Sequence, residues 1–224
     1  MDTTLPRPVR SRPAAPLRGY ARDFFGHPSP RLLAAALSTS IVLRIVVGGW
    51  RVRDLVVVAG FLGAQPFVEW LIHVYVLHWR PRVIWGRTVD PYIGRSHRMH
   101  HRDPKNAALI FIHIRAVQGG LVLAVLGWWA AFTVRPSWGT AVLASQALTL
   151  VYEWTHFLIH SDYVPRHRWY RALWRTHRLH HFRNESYWYG VTMHLGDRVL
   201  RTYPDKDAVP LSTTATTMEQ FELV

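Results

Sequence analysis

Four long apolar segments interrupt an otherwise arginine-rich chain of 224 residues. They run from Leu32 to about Trp50, from Leu55 to Trp79, from Ala107 to Phe132 and from Trp138 to His160. Each is close in length to the roughly 20 helical residues that cross the hydrocarbon core of a bilayer. Buried helices of soluble proteins are rarely so long and so evenly apolar, which argues against a soluble helical bundle. We therefore predict an all-α, polytopic membrane protein with four transmembrane helices in two hairpins.

The placement of basic residues predicts how these spans are oriented. The formal net charge is +13, from 27 Lys and Arg against 14 Asp and Glu. With a cytoplasmic N-terminus, residues 1–31, 80–106 and 161–224 share the cytoplasmic side and hold 22 of those 27 basic residues. The two turns on the opposite side hold only three. Because cytoplasmic loops carry the excess of Lys and Arg, we predict an integral membrane protein with both termini in the cytoplasm.

The same excess of Lys and Arg indicates which kind of molecule the protein binds. It borders the predicted spans, where Lys and Arg are attracted to anionic lipid headgroups. The sequence contains no recognisable nucleic-acid-binding motif. We therefore expect the basic segments to contact the bilayer, and we expect no nucleic-acid partner.

Three segments are predicted along the chain. Residues 1–31 form a basic, Pro- and Arg-rich N-terminal arm, in which three prolines disfavour a long helix before residue 17. Residues 32–204 form the membrane domain with a helical, histidine-rich cytoplasmic cap. Residues 205–224 form a C-terminal tail.

Ten of the fourteen histidines fall in four short boxes, whose sequences are HVYVLH, HRMHH, HFLIH and HRLHH. On the predicted topology all ten lie at the cytoplasmic ends of the second and fourth spans, or in the segments just beyond them. The boxes contain His73 and His78, then His97, His100 and His101, then His156 and His160, and finally His177, His180 and His181.

The spacing within each box has a geometric meaning, because an α-helix turns by about 100° per residue. His156 and His160 are four residues apart and therefore share one helical face. The three histidines of each HxxHH box span only about 100°. His73 and His78 are five residues apart, which places them about 140° apart on an ideal helix. This pair can share a metal ion only if the helix distorts or the ion lies beyond the helix end.

The first HxxHH box is predicted to lie on an amphipathic helix. Asp90 is a suitable N-cap for it, and Pro91 suits the first helical position. Arg95, Arg98 and Arg102 fall on another side of this helix from the imidazoles, towards water or phosphates. The second HxxHH box follows the same pattern of inward histidines and outward arginines.

Ten imidazoles in water-poor surroundings are costly without a shared partner, and a metal ion is the natural one. The chain has no Cys, so its metal ligands are limited to imidazole and oxygen groups. Ten nitrogens suit two metal ions with about five ligands each. Zinc usually takes four ligands, whereas imidazole also suits iron. Iron with open coordination positions, at a membrane surface, predicts O2-dependent oxidation of a lipid C–H bond to an alcohol or an alkene.

Two other classes of function use the same residues. A dizinc membrane hydrolase would use Lewis-acid chemistry. A histidine-lined metal transporter would place its ligands near the bilayer midplane, whereas these lie at the span ends.

The two halves of the chain repeat one another. The segment EWLIHVYVLH precedes the first HxxHH box, and EWTHFLIH precedes the second. Glu69 and Glu153 each lie about one helical turn before a histidine, so both are predicted to accept hydrogen bonds that fix imidazole tautomers. This repeat predicts that the two halves of the chain assemble one site at their interface.

The set of boxes resembles the fatty acid hydroxylase/sterol desaturase superfamily of membrane di-iron oxygenases. The segment YWYGVTMHLGDRVLRTYP is similar to a family segment, to which Gly190, Asp197, Thr202 and Tyr203 correspond, while Gly196 and Arg201 replace the usual Trp and Gly. The resemblance covers residues 65–204. The pattern is most similar to fatty acid 2-hydroxylases, because the third box is HxxxH, whereas carotenoid hydroxylases usually have HxxxxH there.

The resemblance implies hydroxylation of a lipid acyl chain by two iron ions, with O2 as co-substrate and zinc possible in the purified protein. The related alternative is a hydroxylase or desaturase of a sterol, carotenoid or other isoprenoid lipid. It implies that one metal binds His73, His78, His97, His100 and His177, and that the other binds His101, His156, His160, His180 and His181. Asp197 and His194 are further candidates close to the metals. Electrons are expected from a separate ferredoxin- or haem-protein-type reductase chain.

Overall fold

The computed structural model describes residues 16–131 and 135–218, and the chain is mostly helical within them. Helices α1, α2 and α3 come first, and α3 continues into a π-helical turn, here called the π-turn. A two-stranded hairpin follows, and then helices α4 to α9 and a short 3₁₀ turn. The bounds are α1 Leu17–Gly26, α2 Pro28–Val47, α3 Val52–Ile72, π-turn His73–Leu77, β1 Arg82–Ile84, β2 Arg87–Val89, α4 Tyr92–Arg102, α5 Ala107–Ile110, α6 Ile114–Ala131, α7 Arg135–His160, α8 Arg168–Phe182, α9 Leu195–Val199 and 3₁₀ turn Lys206–Ala208.

Three segments of the described chain are long and apolar enough to cross a membrane. They are Pro28–Val47, Val52–Leu77 and Ala107–Ala131. Their outward surfaces expose large aliphatic side chains such as Val46 and Leu123, as expected of helices that face lipid tails. These three segments correspond to the first three predicted spans, although the end of the third, at Phe132, lies outside the described residues.

The fourth predicted span corresponds to α7, which is long but more polar than the other three. Helix α7 packs against α2, α3 and α6, so it has helices on several sides. A helix in that position exposes little surface to lipid and tolerates buried polar groups that find partners within the bundle. Its buried polar residues are Ser137, Thr140, Gln146, Glu153, Thr155, His156 and His160.

A buried ion pair joins the helices at the end of the bundle away from the histidines. Arg44 of α2 lies 3.2 Å from the carboxylate of Asp54 on α3, and both side chains are buried. The Nε of Arg44 donates to Thr140 Oγ1 of α7 at 2.9 Å, and Thr140 donates to Asp54 at 2.7 Å. The guanidinium also lies over the ring of Trp50. The charge of Arg44 inside a predicted span is therefore compensated by partners from two neighbouring elements.

The segment between the π-turn and α4 contains a hairpin that the prediction lacked. Strands β1 and β2 are antiparallel and are joined by Trp85 and Gly86, both at positive φ, as in the tight two-residue turns of hairpins. The predicted start of α4 was also slightly wrong, because the N-cap is Pro91.

The role predicted for Asp90 differs from the one observed. Its carboxylate accepts a hydrogen bond from Arg98 at 2.7 Å, so it is occupied as an ion-pair partner and not as a helix cap. Arg98 also donates to the carbonyl of Trp79 and is buried. The prediction that Arg98 faces water or phosphates was therefore wrong.

Parts of the predicted arm and tail pack on the rest of the protein. Residues 1–15 and 219–224 lie outside the described residues. Within the arm, Tyr20 and Phe24 of α1 are buried in an aromatic cluster with Phe111 and Phe157. Within the tail, Val209, Ala215 and Met218 are buried. The C-terminal segment from Val209 to Met218, here called the strap, lies against the cap.

Candidate metal centre

Four structural elements bring the ten box histidines together in the cap. The π-turn and the residue after it carry His73 and His78, α4 carries three, α7 carries two and α8 carries three. All ten side chains are buried. Each half of the chain therefore contributes one span end and one cap helix, as the internal repeat predicted.

The π-turn explains how His73 and His78 reach the same site. The amide of His78 donates to the carbonyl of His73, five residues earlier, and the ring centroids lie 5.1 Å apart. A turn with this i→i+5 bond holds more residues than an α-helical turn, so positions five apart come onto one face. The helix distortion on which the sequence interpretation depended is present.

The imidazole nitrogens form two compact groups. Within each group, one nitrogen from every residue lies within 4.8 Å of the others. The first group is His73, His78, His97 and His180, and the second is His100, His156, His160, His177 and His181.

This grouping differs from the division of ligands that the family resemblance implied. His100 and His177 lie with the α7 histidines, and His180 lies with His73 and His78. The reason is the rotation of α4 and α8 about their own axes, which decides which of three neighbouring histidines faces which span.

His101 belongs to neither compact group and lies between them. Its ring stacks on His181, with centroids 4.1 Å apart, and lies 4.8 Å from the ring of His97. Its buried Nε2 has no hydrogen-bond partner among the described residues. His101 therefore lies beside both groups, and its ring is within about 5 Å of the rings of His97 and His180 in the first group.

The separations between ring nitrogens fit metal ligands. The Nε2 atoms of His73 and His97 are 3.3 Å apart, and those of His78 and His180 are 3.2 Å apart. In the second group, His160 Nε2 lies 3.2 Å from His100 Nε2 and 3.1 Å from His177 Nε2. Ligands bound at about 2.0–2.1 Å to one ion are about 2.8–3.4 Å apart at octahedral or tetrahedral angles.

Backbone carbonyls fix the opposite nitrogen of four of these rings. His73 donates through Nδ1 to the carbonyl of Tyr189, and His180 donates to that of Tyr187 at 2.8 Å. Since a carbonyl only accepts, each Nδ1 carries the proton and each Nε2 presents a lone pair to the interior. The other two such bonds run from His156 to Ile110 at 3.1 Å and from His101 to Ala215 at 2.9 Å.

A bound cation would give a partner to ring nitrogens that are buried without one. Among the described residues, both ring nitrogens of His181 are buried without a hydrogen-bond partner, as is Nε2 of His156. Burying polar atoms without partners costs free energy that metal coordination removes. Burial also lowers the pKa of His177 and His180 well below the ordinary value, and it lowers the pKa of His101 to about 4. Neutral imidazole is the form that binds metal.

Two carboxylates hold the loop that carries the carbonyl partner of His73. Asp197 accepts from the amides of Tyr189 at 2.9 Å and Gly190 at 2.6 Å. Glu69 accepts from the amide of Thr192 at 2.9 Å, and also from the amide of Val191 and the hydroxyl of Thr192. Both carboxylates therefore act on the ring of His73 through backbone groups.

Glu153 has the same relationship to the second half of the site. It accepts from the amide of Ile112 at 2.8 Å, two residues beyond Ile110, whose carbonyl accepts from His156. Glu69 and Glu153 thus each stabilise the segment that orients the histidine of their own box. Glu69 and Glu153 were predicted to fix imidazole tautomers by accepting hydrogen bonds. They act indirectly, because the bonds that they accept come from the segments that orient the imidazoles and not from the imidazoles themselves.

His194 lies beside the site but in neither nitrogen group. Its Nε2 is 2.8 Å from the hydroxyl of Thr176 on α8, and its ring lies 4.9 Å from that of Tyr203. Burial lowers the pKa of His194 to about 4. Its visible contacts connect α8 to the segment that follows α9.

The groups that sequence reasoning missed are the four backbone carbonyls. Every residue has a carbonyl, so the identities of Ile110, Tyr187, Tyr189 and Ala215 gave no signal. Ala215 also lies in the predicted tail, outside the predicted catalytic domain. The strap is nevertheless part of the metal centre, because it supplies the partner of His101.

Comparison with known proteins agrees with this geometry. A family model described as fatty acid hydroxylase matches residues 57–202. Two relatives from Arabidopsis thaliana are the dihydroceramide fatty acyl 2-hydroxylases FAH1 and FAH2. FAH1 is 30% identical over 147 residues, covering 63% of this chain and 58% of FAH1. FAH2 is 26% identical over 151 residues, covering 67% of this chain and 61% of FAH2.

A solved structure supports the fold. It is full-length scs7p with only the hydroxylase domain visible, and it superposes with a TM-score of 0.64 at 19% identity, covering 83% of this chain and 68% of that chain. The chain spans about three fifths of the length of its two plant relatives. Because the family model matches well over half of the sequence, the chain belongs to the fatty acid hydroxylase family, a family of oxidoreductases.

Proposed function

We propose that the chain is a membrane di-iron oxygenase that hydroxylates a lipid acyl chain with O2 and electrons from a separate donor. The observation that carries the proposal is the convergence of nine imidazole nitrogens in two compact groups, with His101 between them. The names of the two plant relatives point to an amide-linked acyl chain and to its second carbon. Hydroxylation or desaturation of an isoprenoid lipid is the alternative outcome.

Five ligands are proposed for each iron. One ion would be held by His73, His78, His97, His101 and His180, and the other by His100, His156, His160, His177 and His181. Two iron ions bound there would supply the activation of O2 that oxidation of an unactivated C–H bond requires.

The protein's own groups orient the ligands and exclude water. The carbonyls of Tyr187, Tyr189, Ile110 and Ala215 keep the Nδ1 protons in place, so that each Nε2 faces the interior. Glu69 and Glu153 hold two of those carbonyls through neighbouring amides. Burial of all ten histidines excludes bulk water from the space between the imidazoles.

We also propose the membrane arrangement in which this site works. Helix α7 is the fourth span, surrounded by the other three, and the cap lies on the cytoplasmic side with both termini. The excess of Lys and Arg on that side supports this orientation and places basic groups beside anionic headgroups. A ferredoxin- or haem-protein-type reductase chain would reach the cap from the cytoplasm.

Metal analysis of the purified protein, combined with lipid mass spectrometry of cells with and without it, tests the proposal. We expect about two iron ions per chain and a lipid one oxygen atom heavier than its precursor. A lipid that is lighter by two hydrogen atoms would support the desaturase alternative. Lipid cleavage without oxygen consumption would contradict an oxygenase and support a hydrolase.

A further inference from the structure

An elongated apolar cavity lies in the membrane-spanning part of the protein, and one of its ends is close to the candidate metal centre. Its volume is about 550 Å³, and its walls are residues of α3 and α7, with Trp128 from α6 on the third side. On α3 the lining extends from Val56 as far as Leu77, the last residue of the π-turn. Twenty-one helical residues correspond to about 30 Å, so the cavity is nearly as long as a bilayer core is thick.

One end of this cavity lies next to the proposed iron ligands. Ile72 and Leu77 line it, and they are the sequence neighbours of His73 and His78. Tyr152 lines it from α7, and its ring stacks on that of His156 at 5.7 Å. At this end, single residues therefore separate the cavity from histidines of both nitrogen groups.

An aromatic contact lies further along the cavity, towards its other end. The rings of Phe61 on α3 and Trp128 on α6 meet edge to face, with centroids 5.1 Å apart. Phe61 lies eleven residues before Ile72, which corresponds to about 17 Å along the helix. Beyond this contact the cavity continues past Gly60 to Val56.

We propose that this cavity takes one long hydrocarbon chain of the lipid substrate from the bilayer, and that Gly60, Phe61 and Trp128 set the chain length. The proposal rests on the proposed function, in which a carbon near the lipid headgroup is oxidised at the cap. With the headgroup at the cytoplasmic surface, the remainder of the chain extends down the apolar cavity. Short chains end before the Phe61–Trp128 contact, whereas longer chains must pass it and run alongside Gly60.

A pair of glycines on α3 allows a clean test. A Cβ added at Gly60 or at Gly63 meets no other atom within 4 Å, so the backbone surroundings are open at both positions. Gly60 lines the cavity, whereas Gly63 is not among its lining residues. Gly60→Leu should therefore fill the far part of the cavity, and Gly63→Leu is the matched control for expression, insertion and helix propensity.

The first measurement is the product ratio from ceramides with stearoyl and lauroyl chains. We expect Gly60→Leu to lower the stearoyl-to-lauroyl ratio about tenfold, as when roughly two methylene groups lose a buried position. Phe61→Ala should raise the ratio. Equal ratios for Gly60→Leu, Gly63→Leu and the unmodified protein would overturn the proposal.

The second measurement does not depend on catalysis. A ceramide with a photoactivatable diazirine near the methyl end of its stearoyl chain is cross-linked to the purified full-length chain without an electron donor. We expect labelled peptides from α3 around Gly60 and from α6 around Trp128, and about tenfold less labelling in Gly60→Leu. Labelling confined to the outer faces of α2 would overturn the cavity proposal. If the α3 and α6 peptides are labelled but activity assays give no hydroxylated product, the cavity proposal is supported and the proposed function is contradicted.

Discussion

The amide nitrogen of His78 donates to the carbonyl of His73, five residues earlier, at 2.9 Å. This i→i+5 bond closes the π-turn and places on one face two histidines that a regular α-helix would separate by about 140°. The two histidines of the HxxxxH box are therefore arranged like those of the HxxxH box of α7. The wider turn accommodates the one additional residue between them. The π-turn is thus what brings both histidines at the end of α3 into one nitrogen group.

Deletion of one residue from the π-turn tests this equivalence. Removing Tyr75, whose side chain is exposed, should convert the π-turn into an α-helical turn and leave the two histidines on one face. We expect the deletion variant to keep about two metal ions per chain, as measured by inductively coupled plasma mass spectrometry. Insertion of an alanine after Tyr75 should rotate the histidines apart and lower the metal content. Equal metal loss in both variants would contradict this interpretation of the box.

The carboxylates Glu69 and Glu153 should each control one half of the centre. Replacing either by Gln removes one acceptor oxygen from a group that holds a backbone segment. We expect Glu69→Gln to weaken binding at the first nitrogen group and Glu153→Gln at the second, each by about 10- to 100-fold in metal affinity. Gln65→Ala, one turn before Glu69, is the control. If chelator competition showed metal affinity unchanged in both Gln variants, the indirect positioning described above would be wrong.

The strap should be needed for activity although it lies outside the matched family region. Ala215 is buried and its carbonyl accepts from His101, so Ala215→Trp should displace the strap and free that ring. We expect product formation to fall at least about tenfold. Leu211→Ala changes an exposed side chain of the same segment and should have little effect. Wild-type turnover in Ala215→Trp would show that the His101 contact is dispensable.

The ten histidines were predictable because their spacing in sequence carries geometric information. Their grouping was not, because the rotation of α4 and α8 depends on packing between elements distant in sequence. The fourth predicted span corresponds to α7, whose greater polarity has a related reason: it packs against several helices, where its polar residues find partners. The partners of Arg44 could not be read from the sequence, because Asp54 and Thr140 belong to other helices.

Arg201 departs from the family pattern, and the backbone conformation explains why glycine is usual at this position. It replaces a usual glycine and adopts a φ of 61°, a left-handed conformation that costs a residue with a Cβ about 1–2 kcal/mol. Arg201→Gly should therefore raise the free energy of unfolding, by up to about 1 kcal/mol after the greater entropy of the unfolded glycine is subtracted. Thermal unfolding in detergent measures the change. A lower midpoint in Arg201→Gly would show that contacts of the arginine outweigh the backbone strain.

Gly196 is the other departure, and its reason is close packing. A Cβ at this position would lie 2.2 Å from the carbonyl oxygen of Pro66 in α3, so α9 approaches that helix at a point where only glycine fits. We expect Gly196→Trp to prevent correct packing of α9 and to abolish activity. Normal expression, unfolding temperature and turnover of that variant would contradict this reason for the glycine.

The origin of the oxygen atom in the product tests the central claim most directly. The purified chain, loaded with ferrous iron and supplied with an electron donor and a ceramide, is exposed to isotopically labelled O2 in ordinary water. We predict a hydroxylated acyl chain that carries one labelled oxygen atom, and no product from His101→Ala under the same conditions. A product whose oxygen comes from water, or turnover that persists without iron, would contradict a di-iron oxygenase.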